Sequence, residues 1–231
     1  YICITAAFLF NGCIWKNQEY ITANIGNKIS NQTSSLETVV VLHGITRSNR
    51  QTYLLAKRIA QNGYEVYNIS YPSTDYNIME LIDIIHKKFI DLGIDKKQKI
   101  NIVAHSMGGL IIRGYILKYK PKNLSKVVMI CTPNKGSEIA DLFKDWYFYK
   151  EIFGPAGQEL ITNNSDLNGI IGTSVDYKLG IIAGSMSFNP FFSSLLPGED
   201  DGVVAVESTK INGMSDHITV KVMHGLGLYS D

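Results

Sequence analysis

"NIVAHSMGGLIIRGY", residues 101–115, decides how this chain is read. An apolar run ends at Ala104, a serine stands at 106, and Gly108 and Gly109 open a second apolar stretch. The run suits a strand buried on both faces, and residues 107–119 suit a well-buried helix. A hydroxyl at such a junction, with small residues two before and two after it, fits a sharp strand-to-helix turn. A larger side chain at 104 or 108 would collide with that turn. Gly109 further lets the helix lie close to the sheet. The plainer alternative is a serine that only caps the helix.

Outward from this stretch the pattern alternates. Strands are expected at 38–43, 64–69, 99–104, 126–131, 178–183 and 217–222. A helix over 50–62 ends at Gly63, and Ile78, Leu81, Ile82, Ile85, Phe89 and Leu92 fall at helical spacing before Gly93. This order predicts an α/β domain over 38–231 with a parallel sheet and right-handed crossovers. Working groups in such sheets lie in loops at the carboxyl ends of strands.

A serine hydroxyl is a poor nucleophile until a base takes its proton, and the base is usually a histidine oriented by a carboxylate. Of the five histidines, His43 and His105 sit inside motifs before Ser106, and His86 lies on a predicted helix. His217 would begin the last strand, at its wrong end. His224 follows that strand and is the expected base. The acid should follow the fifth strand, where "PGEDDGVV" (197–204) offers Asp201, with Asp200 as the alternative and Glu199 a weaker one. Asp216 is a further option beside His217. A solvated acidic turn is the structural alternative. The oxyanion of acyl transfer needs donors, and the N–H groups of Met107 and of Ile45, in "LHGITRS", are placed to supply them. Their side chains are expected to line the acyl side of the pocket.

The 231 residues fit one domain, and 45% hydrophobic against 19% charged residues allows a sizeable core. With 22 basic and 21 acidic residues the net charge is +1, which argues against a nucleic-acid partner. Residues 1–15 carry no charge and are too short for a spanning helix. They read as the apolar part of an export signal, with Cys13 in a lipoprotein-like "LFNGC" box. That implies a cell-envelope or secreted location and membrane association through a lipidated Cys13; plain secretion or a packed N-terminal element are the alternatives. Residues 16–37 read as a polar tether with one edge strand. Three cysteines make no disulfide framework, and Cys131 reads as a small buried residue. No metal-ligand spacing, phosphate loop or dinucleotide fingerprint occurs, so no cofactor is expected. Asp200, Asp201 and Asp216 are the one set of carboxylates that offers a metal reading, a calcium ion.

The motifs HGI (43–45), AHSMGG (104–109), TPNKGS (132–137), DDGVV (200–204) and MHGLGL (223–228) together resemble the α/β-hydrolase superfamily, and more closely its small bacterial lipases and esterases. The resemblance covers about residues 38–228. It implies the α/β-hydrolase fold, a mostly parallel central sheet with helices on both faces. It also implies Ser106 as nucleophile, Asp201 as acid, His224 as base, and Ile45 and Met107 as oxyanion donors. The departure is the long "GSMSFNPFFSSLLPGED" between the fifth strand and Asp201. A cap insertion at 138–165, where Ile139, Leu142, Phe143, Trp146 and Phe153 fall near helical spacing over 138–157, and the apolar loop 188–196 would offer walls to an acyl chain, or simply cover the core. The expected activity is cleavage of hydrophobic carboxylic esters. An acyltransferase with the same triad and a non-catalytic lipid- or partner-binding lipoprotein are the other readings.

Overall fold

The computed structural model describes residues 20–21, 36–188, 190–225 and 228. The signal-like segment 1–15, Cys13 and most of the tether lie outside them.

Among the described residues seven strands form one sheet: β1 (Tyr20–Ile21), β2 (Thr38–Leu42), β3 (Glu65–Ile69), β4 (Ile100–His105), β5 (Leu124–Ile130), β6 (Leu179–Gly184) and β7 (Asp216–Val220). Their order is β1-β3-β2-β4-β5-β6-β7. Only β1 is antiparallel, pairing with β3 at the sheet edge. All other neighbours run parallel. The six strands read from the sequence are present, each displaced by no more than a few residues.

The β-branched run of β2 explains why the sheet is covered on both sides. Val40 and Leu42 point into the larger core, and Val39 and Val41 into the smaller one. The smaller core is closed by Ala56 and Ala60 of α1 (Tyr53–Gln61). The larger is closed chiefly by α2 (Ile78–Asp91) and α3 (Met107–Tyr119). Helix α2 starts at a capping box, Asn77 with Glu80, and buries Ile78, Leu81, Ile82, Ile85 and Phe89. Each such side chain contributes about 1.5–3 kcal/mol on leaving water. At Gly114 of α3 an added methyl would run into Ile82 of α2, so the glycine sets how closely the two helices pack.

Three helices lie between β5 and β6: α4 (Glu138–Phe143), α5 (Tyr147–Glu159) and α6 (Ser165–Ile171). The single helical spacing read over 138–157 is in fact two helices with a break at residues 144–146. Helix α5 is itself kinked at Gly154 (φ 60°, ψ −163°), followed by Pro155. A methyl at Gly154 would meet the Thr74 carbonyl, so this bend holds α5 against the loop after β3. A short helix, α7 (Pro190–Ser193), lies in the long segment after β6.

Candidate active site

Ser106 sits between β4 and α3 with φ 53° and ψ −130°. A non-glycine residue reaches this backbone region at a cost of about 1–3 kcal/mol, so the surroundings must hold it there. They do. Its N–H donates to the Ile130 carbonyl (2.9 Å), and its carbonyl accepts from Gly109 N–H (2.9 Å) and Thr132 Oγ1 (3.0 Å). The small residues have specific neighbours. A methyl at Gly108 would stand 2.6 Å from the His43 carbonyl oxygen, and one at Gly109 would overlap Thr132. Gly44 is tight against the nucleophile itself: a methyl there would lie 3.0 Å from Ser106 Cβ and 3.1 Å from His105 Nδ1. These glycines let the loops after β2 and β5 close around the turn.

The three side chains proposed from the sequence are brought together. Ser106 Oγ lies 2.9 Å from His224 Nε2, and His224 Nδ1 lies 2.8 Å from Asp201 Oδ2. The carboxylate accepts at Nδ1–H, so Nε2 presents its lone pair to the hydroxyl. Asp201 Oδ1 takes the N–H groups of Val203 (3.0 Å) and Val204 (2.8 Å). Burial pushes the Asp201 carboxyl up. The facing His224, with hydrogen bonds from it, from Val204 N–H and from the Cys131 thiol, outweighs burial and holds it below the usual range.

The long segment before Asp201 does not move the acid away from the sheet. It loops out through α7 and returns, so that a methyl on Gly184, the last residue of β6, would stand 2.8 Å from Asp201 Cβ. In space Asp201 therefore does follow the fifth parallel strand. Asp200 points elsewhere: its Oδ1 accepts from Gly202 N–H (2.7 Å) and Ser193 Oγ (3.0 Å), fastening the loop. His217 and Asp216 lie at the amino end of β7, opposite Ile181 and Gly180. That is roughly four residues, about 13 Å, down the strands from Gly184. His217 bonds Thr209 Oγ1 (2.9 Å) instead. The same separation rules out the calcium trio of Asp200, Asp201 and Asp216.

The motif histidines are structural. Tyr71 N–H donates to His43 Nε2 (3.2 Å), so His43 Nδ1 is the protonated nitrogen that donates to the Gly44 carbonyl (2.8 Å). The rings stack at 4.1 Å, and Tyr71 hydroxyl donates to the His43 carbonyl (2.6 Å). His105 Nε2 donates to the His224 carbonyl (2.8 Å) and fixes the base's loop. Burial pushes His43 down to about 4; burial, with the field of His224, takes His105 to about 3. Both are neutral.

Two side chains add to or correct the sequence reading. Cys131 is fully buried, as the sequence suggests, with φ 51°, and its sulfur lies within 4.8 Å of the Asp201 carboxylate and the His224 ring, where the thiol favours the charged carboxylate. Burial and the adjacent carboxylate both keep that thiol protonated. The motif "TPNKGS" gave no hint of it, since the contact joins the ends of β5 and β6. The side chain of Met107 was expected to line the acyl pocket; it is wholly buried in the larger core. Its N–H, at the first turn of α3, is one of the helix amides without an intrahelical acceptor. Ile45 is partly buried, and its Cδ1 would stand 3.5 Å from a methyl on Gly157 of α5. Among the described residues the one cluster with metal-ligating groups is Cys131, Asp201 and His224, which the triad already uses.

Ser106, His224 and Asp201 thus have the geometry of a catalytic triad, on a doubly covered parallel sheet. Comparison with known proteins agrees with the fold. Over 55 residues the chain is 42% identical to Triacylglycerol lipase 2 of Saccharomyces cerevisiae, spanning 23% of this chain and 17% of that protein. Over 47 residues it is 43% identical to a triacylglycerol lipase of Pseudarthrobacter phenanthrenivorans, spanning 20% and 14%. The chain therefore matches less than a fifth of the length of these curated relatives. The lipase BlEst2 of Bacillus licheniformis, in mature form, superposes with a TM-score of 0.68 at 19% identity, over 87% of this chain and 89% of that one. At that identity the likeness is one of fold. A family model described as "alpha/beta hydrolase fold" matches residues 37–156, and with that match the chain belongs to the alpha/beta hydrolase fold family.

Proposed function

We propose that this chain is a serine hydrolase that cleaves hydrophobic carboxylic esters through an acyl-enzyme on Ser106. The observation that carries the reading is the unbroken relay from Ser106 Oγ through His224 to Asp201, at 2.9 and 2.8 Å. His224 Nε2 takes the hydroxyl proton as Oγ attacks the ester carbonyl. Asp201 stabilises the imidazolium so formed, and the same proton then leaves with the alcohol. Water, deprotonated by His224, releases the acid. The Met107 and Ile45 N–H groups receive the oxyanion; one such donor is worth about 3–4 kcal/mol.

The preference for an apolar acyl group rests on the two segments flagged in the sequence. Trp146, Tyr147 and Phe148 of the α4–α5 region are 59–73% exposed, and Phe188 and Phe191 of the loop before Asp201 are 76% and 61% exposed. Phe143 and Phe192 meet edge-on at 6.0 Å, so the two segments join into one aromatic surface. A residue that only covered the core would not leave such rings in water. We read α4 and α5 as a cap. The triacylglycerol lipases to which the chain is similar support a lipid ester as substrate. The charge-free stretch at residues 1–15 supports export, with Cys13 as a lipid anchor.

A panel of p-nitrophenyl esters of graded acyl length tests the reading, beside Ser106→Ala and a fluorophosphonate label. Labelling at Ser106, and rates that rise with acyl length and vanish in the variant, are expected. Hydrolysis near the parent rate in Ser106→Ala would refute it.

A further inference from the structure

A cavity lies at the far end of α3. It measures about 450 Å³ and is bounded by Leu117 and Lys120 at the end of α3, Leu124 at the start of β5, and Val175 and Tyr177 before β6. Those are the amino ends of the strands, opposite the edge that carries Ser106. Arg113, which also lines the cavity, is seven residues along the helix from the serine, about 10 Å.

Arg113 is unusual. It is 2% exposed, and its guanidinium donates only to neutral groups: the Asn134 carbonyl (3.0 Å), Asn134 Oδ1 (3.1 Å) and the Gly172 carbonyl. Among the described residues no carboxylate pairs with it, and its Nε is buried without a partner. Burial pulls its pKa down to about 10. Tyr177, within Coulombic reach of the guanidinium, also has a buried hydroxyl without a partner. A buried cation met only by carbonyls, beside an idle hydroxyl donor, is an expensive arrangement unless an anion completes it. At the rim, exposed Lys120 adds a second positive charge and exposed Asp176 a negative one, leaving a net charge of +1 around the cavity. Leu117, Leu124 and Val175 give the cavity an apolar side beside its polar one, and its size is in the range of small-molecule sites.

We propose that this cavity binds a carboxylate-headed apolar molecule, the head at the end lined by Arg113 and Tyr177, drawn there by the guanidinium charge, and the chain laid along Leu117 and Leu124. A medium-chain fatty acid has this chemistry. The ester-cleavage reading would make one such acid as its product, but the binding stands or falls without that reading.

The test is a calorimetric titration of the full chain, with Ser106 first capped by a fluorophosphonate so that the catalytic centre is occupied. Failure of the cap to attach counts against the ester reading alone, and the titration then proceeds on uncapped protein. Arg113 ties α3 to two loops, so the variants are placed at the rim and on the hydroxyl: Leu117→Glu, Lys120→Gln and Tyr177→Phe. Decanoate should bind saturably at one site, at least tenfold more tightly than decanol or inorganic phosphate. Leu117→Glu should weaken it tenfold or more with an unchanged melting temperature, and the other two several-fold. No saturable binding, equal binding of decanol or of phosphate, or indifference to Leu117→Glu would each overturn the proposal.

Discussion

Replacing Asp201 with asparagine changes one atom and tests the whole relay. Asn Oδ1 can keep the bonds from Val203 and Val204 N–H, because the side chain has the same shape. Its NH₂ group then faces His224 Nδ1, where a carboxylate oxygen stood at 2.8 Å. Two donors cannot face each other, so the ring turns to the tautomer protonated at Nε2. That nitrogen can no longer accept the Ser106 proton. The lost charge adds a second penalty. A carboxylate and an imidazolium about 4 Å apart attract by about 4 kcal/mol at an effective dielectric constant of 20. That alone is roughly three powers of ten in kcat, since each 1.36 kcal/mol is tenfold. We expect Asp201→Asn to lower kcat on a p-nitrophenyl ester by about 10³-fold or more, with KM nearly unchanged and a thermal melt close to the parent's. Asp200→Asn, which loosens only the loop anchored at Gly202 and Ser193, should lose far less. An Asp201→Asn enzyme within tenfold of the parent, or an Asp200→Asn enzyme more impaired than it, would refute the assignment of the acid.

Other outcomes follow from the same geometry. Removing the thiol donor in Cys131→Ala should lower kcat about tenfold, because a hydrogen bond to a charged group is worth about 1.5–3 kcal/mol; Cys131→Ser should retain most of the rate, and equal rates in the two would deny the thiol a positioning role. Gly108→Ala forces a methyl against the His43 carbonyl and should cost about 1–3 kcal/mol, a drop of several degrees in Tm, together with activity, since the loop bearing Ile45 must retreat. His43 and His105 have folded pKa values of about 4 and 3, below the unfolded value near 6.5. The unfolded chain then binds more protons below pH 6.5, so stability is full above that pH and falls on acidification toward pH 4, by about 1.4 kcal/mol per pH unit for each histidine. Thermal melts from pH 7.5 to 4.5 check this, and a flat Tm across pH 6.5–5 would contradict neutral, buried rings.

Local pattern carried much of this. Ser106 could be read because a tight strand-to-helix turn imposes size limits on adjacent positions in the chain, and those limits appear as Ala104, Gly108 and Gly109. The strands could be read because burial on both faces demands the continuous apolar runs of β2 and β4. Helix α5 was less legible: its kink depends on Thr74, eighty residues away, and apolar spacing alone merged it with α4. For the acid and base the sequence favours Asp201 and His224 but leaves Asp200, Glu199, Asp216 and His217 as alternatives, because sequence distance says nothing of which loops return to one sheet edge.

The sequence by itself determined the parallel α/β order, the strained serine and the chemistry it invites, since each depends on neighbours within a few residues. Only the tertiary structure decided that Asp201 returns beside Gly184, that Cys131 lies beside its carboxylate, and that Arg113 is buried with no counter-charge among the described residues. Those contacts join side chains from separate strands and loops. Their existence depends on how the layers pack, which no local periodicity encodes.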